Sequence, residues 1–160
     1  MDNNTLFLFL EKALRSTYAT LGVEAIQETE NGFKKLRFTE GEVSYVDSYS
    51  GFFRSRGYEV VYKNGSPIWM CSYGGGMQKQ DKDFAIRTFE FLKKVFLADK
   101  HGFQSVRGPS EYTQDDWRYT YTQDGAVAEF YGHEEIYYKS TLVFFHRTIG
   151  GLILPVSIDK

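Results

Sequence analysis

The chain has 160 residues and a formal net charge of −2 at neutral pH. This length suits one domain with its own core, and this charge gives no basic field for a nucleic-acid backbone. The single cysteine, Cys71, excludes an internal disulfide framework and leaves cysteine-based zinc sites without ligands. No apolar run approaches the ~20 residues that span a bilayer, and no basic segment precedes the apolar run at 6–10. We therefore expect one cytoplasmic domain over residues 1–160, without direct nucleic-acid binding, membrane insertion or a cofactor.

The first half of the chain predicts a helix followed by strands. Apolar residues recur every three or four positions over 5–21, which predicts a helix capped by Asn4 or Thr5 and ended by Gly22. Residues 23–32 are polar and predict a loop or an irregular strand. The period then changes to two, and aromatic residues, 18% of the chain, favour half-buried strands. The predicted strands are 33–38, 42–48, 52–56, 58–63 and 67–73, and Gly74-Gly75-Gly76 is expected to end this block.

The second half repeats that order. A helix is predicted over about 82–100, with Asp81 as its cap and Gly102 at its end. The tail, 152–160, begins with the apolar run Leu152-Ile153-Leu154 and is then interrupted by Pro155. The strands predicted between the helix and the tail are 117–122, 126–131, 134–139 and 142–149.

The segments 58–75 and 134–151 align with each other at a shift of 76 residues. The alignment places Glu59 on Glu135 and Trp69 on Phe145. It predicts an α+β fold with two helices and about eight mostly antiparallel strands, built as two halves, about 5–76 and 82–151, related by an approximate two-fold axis. Chance similarity between two aromatic hairpins is the alternative explanation.

Turn chemistry fixes the expected register of the first hairpin. Asn64-Gly65 predicts a two-residue type I′ turn, which would pair Lys63 with Ser66, Val61 with Ile68 and Glu59 with Met70. The other face of the hairpin is then the expected core side. The residues predicted on that core side are Tyr58, Val60, Tyr62, Trp69, Cys71 and Tyr73.

The same register applied to the second hairpin, with Ser140-Thr141 as its turn, places Glu135 opposite His146. It also places Tyr137 opposite Phe144. Glu135 and His146 are then either a general acid/base pair, with the carboxylate orienting the ring, or an ordinary cross-strand ion pair. No nucleophile-elbow sequence supports the first alternative.

The other candidate site residues also carry two interpretations each. Glu59 and Glu135 either converge near the pseudo-axis and hold a polar ligand or lie exposed at a sheet edge. Asp47 either lines a pocket between aromatic neighbours or serves the turn before Gly51. Arg107, in Arg107-Gly108-Pro109, either binds an anion or braces its loop.

Aromatic side chains complete the predicted site. Trp69 and Tyr137 are the candidate stacking walls of a ligand site. Cys71 is interpreted as a buried structural thiol, and no spacing of histidine and acidic residues indicates a metal site. Gly74-Gly75-Gly76 precedes a helix, but the phosphate-binding P-loop pattern is absent.

Several short segments, in this order, resemble an uncharacterised bacterial family, a domain of unknown function. Members of that family occur alone or behind an XRE-type helix-turn-helix domain in transcriptional regulators. The resemblance covers about residues 6–152, and it implies a sensor or partner-binding role without an established reaction. This sequence has Ile149 where family members carry a histidine before the double glycine. The segments that carry the resemblance include Tyr45-Val46-Asp47-Ser48-Tyr49-Ser50-Gly51, Gly57-Tyr58-Glu59-Val60-Val61, Arg107-Gly108-Pro109 and Tyr131-Gly132-His133-Glu134-Glu135-Ile136-Tyr137-Tyr138.

Three functions stay open on the sequence. The favoured one is a non-catalytic module, monomeric or homodimeric, that binds a small polar ligand or a protein partner on an aromatic sheet surface. The second is a small hydrolase-type or lyase-type enzyme that uses Glu135 and His146. The third is a subunit of a complex that docks through the apolar tail at 152–154.

Overall fold

The computed structural model of the chain describes residues 1–20 and 28–154. Two α-helices and nine strands make up its regular structure, and a π-helical turn, Arg15–Ala19, continues the first helix. The elements in chain order are α1 Asn3–Leu14, β1 Glu28–Glu30, β2 Phe33–Glu40, β3 Val43–Ser50, β4 Arg54–Lys63, β5 Ser66–Met77, α2 Lys82–Leu97, β6 Glu111–Gln114, β7 Trp117–Ala126, β8 Glu129–Tyr138 and β9 Thr141–Leu152.

All nine strands form one antiparallel sheet in the order β1-β2-β3-β4-β5-β9-β8-β7-β6. Each half of the chain forms a meander of neighbouring strands, and β5 and β9 join the two meanders in the middle of the sheet. The predicted α+β class, with two helices and mostly antiparallel strands, is confirmed. Among the described residues, no helix is both long and apolar enough to cross a membrane.

Capping explains where the helices begin. Asp81 caps α2 as predicted, because its carboxylate accepts the backbone N–H of Phe84 at 3.0 Å. The predicted cap of α1 is wrong by two or three residues: Asp2 accepts the N–H of Thr5 at 2.8 Å. Gly22, the predicted end of this helix, lies outside the described residues.

Several predicted strand ends are wrong because the strands continue through glycine. The predicted strands 52–56 and 58–63 fall on the single strand β4, which contains Gly57, and the second half of 126–131 begins β8. Gly74-Gly75-Gly76 does not end its block, since β5 runs to Met77. A glycine inside a strand does not stop hydrogen bonding between backbones; it leaves space for neighbouring side chains.

A β-bulge in each long hairpin shifts the register that the turns alone predict. Asn64 and Gly65 have positive φ, and Lys63 pairs with Ser66 as predicted. An extra residue, Ile68, then lies in the bulge, so Val61 pairs with Trp69 and Glu59 with Cys71. The predicted pairs Val61–Ile68 and Glu59–Met70 are therefore wrong.

The second hairpin departs from prediction twice. Its turn is Lys139-Ser140, both with positive φ, and not Ser140-Thr141. An extra residue, Val143, again forms a bulge, and Glu135 pairs with Phe145 while Glu134 pairs with His146. The predicted pairs Glu135–His146 and Tyr137–Phe144 are wrong, because a shift of one residue moves every side chain of a strand to the other face.

Both helices cover one face of the sheet, the inner face. Glu59, Trp69, Cys71 and His146 point to this face, whereas Tyr58, predicted in the core, is 39% exposed on the outer face.

Two clusters of buried side chains fill the space under the helices. One surrounds α2 and includes Leu14, Met77, Phe91, Tyr119 and Phe144; the other surrounds α1 and includes Leu10, Tyr45, Trp69, Val106 and Phe130.

The internal duplication stays a prediction. The bulges after Val61 and after Ile136 are separated by one residue less than the shift of 76 read from the sequence.

The described part of the C-terminal tail ends at Leu154, which is 83% exposed, and residues 155–160 lie outside the described part.

Candidate functional site

A pocket of about 240 Å³ opens on the inner face, between the first meander and α2. Its walls combine aromatic rings with buried charged groups, which is the usual composition of a small-molecule site, although the volume is below the ~300–1,000 Å³ of drug-sized ligands. The residues that line it are Leu14, Tyr18, Lys34, Asp47, Tyr49, Gly51, Phe52, Ser55, Glu59, Tyr73, Ile86, Phe89, Glu90, Leu92, Lys93, Arg107, Phe144 and His146.

Two carboxylates face the pocket from directly opposite positions on neighbouring strands. Asp47 on β3 pairs with Glu59 on β4, and the two residues are only 6% and 4% exposed. Tyr73 donates its hydroxyl hydrogen to Asp47 at 2.7 Å. Like charges directly across a ladder destabilise a sheet, and burial strengthens their repulsion. Such a pair needs a compensating cation or a shared proton.

Arg107 supplies part of that compensation. It lies in the segment between α2 and β6, where the Ser105 hydroxyl accepts its backbone N–H at 3.0 Å. Its guanidinium donates to Glu59 at 3.2 Å and makes a two-pronged contact with Glu134, at 3.2 and 3.1 Å. Tyr119 also donates to Glu134, at 2.8 Å. One buried arginine thus joins a glutamate of the first meander to a glutamate of the second.

The pKa values of the three carboxyls separate according to their contacts with Arg107. Burial raises the pKa of Asp47 to about 6, against the hydrogen bond from Tyr73. Burial also raises the pKa of Glu59 to about 7, opposed by Arg107 and assisted by the charge of Asp47. Burial disfavours the Glu134 anion too, but Arg107 and His146 together lower that pKa to about 2. Arg107 therefore neutralises Glu134, and the Asp47–Glu59 pair keeps negative charge in the pocket at neutral pH.

His146 on β9 reaches Ser55 on β4 across the intervening strand. Its Nε2 lies 3.0 Å from the Ser55 hydroxyl oxygen, and its Nδ1 lies 3.4 Å from a carboxylate oxygen of Glu134. Burial lowers the pKa of His146, although the nearby Glu134 carboxylate opposes this effect. The ring is therefore neutral at pH 7, with one nitrogen able to accept a proton.

Of the six predicted ligand-binding residues, three come together here and three do not; His146, the predicted catalytic alternative, also lines the pocket. Asp47, Glu59 and Arg107 line the pocket. Glu135 lies on the outer face, where it accepts hydrogen bonds from Tyr137 at 2.6 Å and from Arg147 at 3.0 Å. Tyr137 is on that face too and does not line the pocket.

Trp69 is fully buried in the α1 cluster and donates to the Val127 carbonyl at 2.8 Å, so it is not a wall of the pocket. Cys71 is buried, as predicted. Arg107 does not stand free for an anion, because two carboxylates already occupy its guanidinium.

Sequence reasoning missed Glu134, Ser55 and Tyr73 as site residues. Glu134 carried a usable signal, because it adjoins Glu135 and any error of one residue in the register exchanges the two. Ser55 and Tyr73 carried none, since their role depends on contacts between strands far apart in sequence. Within 1–20 and 28–154, no group of three or more histidine, cysteine or acidic residues is placed to hold a metal ion.

Comparisons with curated proteins and with solved structures return no match. A family model described as a domain of unknown function (DUF5680) matches residues 47–153. The match begins at Asp47 and takes in Ser55, Glu59, Arg107 and His146, which line the pocket, and Glu134, which contacts Arg107. Since the match covers more than half of the chain, the protein belongs to this family of domains of unknown function.

Proposed function

We propose that the pocket binds a small organic cation, such as a protonated amine with an aromatic or alkyl body. The observation that carries the proposal is the buried pair Asp47–Glu59, two carboxylates opposite each other whose excess negative charge Arg107 does not fully offset. A ligand ammonium between the two carboxylates would offset their mutual repulsion by supplying a compensating positive charge.

The walls of the pocket support a cation over an anion. The faces of tyrosine and phenylalanine rings attract positive charge, and Tyr18, Tyr49, Tyr73 and Phe89 all line the space. Of the two lysines at the rim, Lys93 is already paired with Glu90 at 2.9 Å, and Lys34 lies over the Tyr49 ring. An anionic ligand would instead meet Asp47 and Glu59 without a free partner at the base of the pocket.

Thermal unfolding with three matched probes tests the proposal. Phenethylammonium, 2-phenylethanol and phenylacetate share a ring and differ in charge. We expect only the cation to stabilise the protein, raising Tm by about 4 °C at ten times its Kd. Asp47→Asn should abolish the shift, and Glu129→Gln, an exposed carboxylate outside the pocket, should retain it. Stabilisation by phenylacetate, or equal stabilisation by all three, would contradict the proposal.

We propose further that the module is sensor-like and works in the bacterial cytoplasm, alone or beside an XRE-type DNA-binding domain. The family resemblance supports this role, and the net charge of −2 supports a module that leaves DNA contacts to a partner domain. The chain alone should not retard duplex DNA in a gel at 100 mM salt. Retardation that disappears at high salt would contradict this assignment.

A further inference from the structure

Ser55, His146 and Glu134 occupy one row across four neighbouring strands. Ser55 pairs with Gly75, Gly75 with His146, and His146 with Glu134. Gly75 has no side chain, so the imidazole lies over β5 and reaches Ser55. A Cβ at Gly75 would stand 2.9 Å from the His146 ring and 2.0 Å from the Phe145 carbonyl oxygen. The contact between serine and histidine therefore depends on glycine at this position.

The imidazole is held on both sides. Tyr73 and Phe144 pack against it, with ring centroids at 5.4 and 4.7 Å. Nδ1 is buried and makes no hydrogen bond of normal geometry, and a carboxylate oxygen of Glu134 lies 3.4 Å from it. Glu134 is itself fixed by Arg107 and Tyr119. A fixed carboxylate beside Nδ1 favours the tautomer with hydrogen on Nδ1, which leaves Nε2 free to accept the serine proton.

The row has the order of a nucleophile, a base and an orienting carboxylate, and Ser55 and His146 both open to the pocket. We propose that Ser55 is the nucleophile and His146 the general base of a centre that hydrolyses small carboxylic esters carrying a protonated amine. Glu134 is the positioning residue. The preference for an amine depends on the proposed binding of cations by Asp47 and Glu59; the hydrolytic centre does not.

The reaction balances with water as the second reactant. The Ser55 oxygen bonds to the ester carbonyl carbon while its proton passes to Nε2 of His146. The bond to the leaving alcohol oxygen breaks, and that oxygen takes the proton from Nε2. Water then loses a proton to Nε2 and attacks the acyl carbon, and the Ser55 oxygen departs and recovers the proton. The net change is ester and water to acid and alcohol.

Covalent labelling of the full chain with diisopropyl fluorophosphate tests the centre. Ser55 should form a bond to phosphorus as fluoride leaves with the serine proton, and intact mass spectrometry should show one added diisopropylphosphoryl group. Ser55→Ala and His146→Asn should lose the adduct. Ser72→Ala, which removes an exposed serine on the neighbouring strand β5, should label as the unchanged chain does.

Absence of an adduct on the folded protein, or an adduct that survives Ser55→Ala, would overturn the assignment. If His146→Asn fails to fold, as judged by circular dichroism, the Ser55→Ala result alone decides. Glu134→Gln supplies the readout for positioning: the ¹⁵N chemical shifts of the His146 ring should move from the Nδ1–H tautomer to a mixture. Unchanged ring shifts would exclude Glu134 as the positioning residue.

A pair of esters separates the two proposals. The 4-nitrophenyl esters of glycine and of acetic acid differ by one ammonium group. We expect kcat/KM for the glycine ester to exceed that for the acetate by at least about tenfold, with the difference lost in Asp47→Asn. Labelling of Ser55 with equal kcat/KM values would keep the hydrolytic centre and overturn the proposed cation binding. A cation-dependent Tm without labelling would do the reverse.

Discussion

Among single residues, Asp47 and Glu59 make the stability of the protein depend on pH in an unusual direction. Their pKa values in the fold, about 6 and about 7, lie above the ordinary values near 4 of an unfolded chain. Between about pH 4 and pH 7 the folded state holds protons that the unfolded state has released, so the free energy of unfolding falls as pH rises. His146, whose pKa burial lowers, opposes this trend because its contribution to stability is lost as pH falls below about 6.5.

Asp47→Asn isolates the effect of the Asp47 carboxyl on the pH dependence of the free energy of unfolding. The amide cannot ionise, so the variant should escape the loss of stability that the carboxyl causes at high pH. Relative to the unchanged chain, its free energy of unfolding should rise by about 2 kcal/mol between pH 4.5 and pH 8. Urea unfolding at the two pH values measures this change, with Glu129→Gln as an exposed control. A difference that does not vary with pH would contradict the raised pKa of Asp47.

Gly75 lies so close to β9 that it leaves no room for a side chain. Its φ is +152°, and an added Cβ would clash with the Phe145 carbonyl oxygen. Gly75→Ala should therefore lower the free energy of unfolding by about 3 kcal/mol through strain and overpacking. Gly41→Ala is the matched control: φ is +60° there, but no atom lies within 4 Å of the added Cβ. It should cost about 1 kcal/mol, and equal losses in urea unfolding would show that the clash has no effect.

At the scale of elements, Arg107 fastens the segment between α2 and β6 to the sheet. Arg107→Met keeps an apolar stem but leaves Glu134 buried without its cation, which should cost about 4 kcal/mol. Hydrogen exchange across 98–110 should become faster as that segment detaches. Arg118→Met is the control, because this exposed arginine lies over the outer-face ring of Tyr137. A loss below about 1 kcal/mol for Arg107→Met would contradict the anchoring role.

Local sequence signals predict turns and caps, but they do not predict bulges or contacts between distant strands. Turn and cap signals are local. The turn predicted at Asn64-Gly65 and the helix cap predicted at Asp81 are therefore both present in the fold. A bulge residue such as Ile68 or Val143 has no local signal, because it looks like any other apolar strand residue. One such residue, Val143, puts Glu134 opposite His146, at the position where Glu135 was predicted. The ion-pair partners of Arg107 could not be predicted either, because they come from strands far away in sequence.

At the scale of the whole molecule, the two halves share their cores. Leu14 at the end of α1 lies in the cluster that surrounds α2, and Val106 and Phe130 from the second half lie in the cluster that surrounds α1. Arg107 adds an ionic link from Glu59 to Glu134 at the join. Neither half buries its apolar face without the other, so a half should not be stable alone.

Unfolding should therefore be one cooperative transition, and the chain carries a natural reporter for each cluster. Its two tryptophans are divided between them: Trp69 lies in the α1 cluster, and Trp117 packs against the α2 cluster. In Trp117→Phe the fluorescence reports the first cluster, and in Trp69→Phe it reports the second. Within each variant, the fluorescence and circular-dichroism midpoints in urea should coincide. A fluorescence transition that precedes the loss of strand signal in either variant would show that its cluster unfolds independently, and the shared-core description would then be wrong.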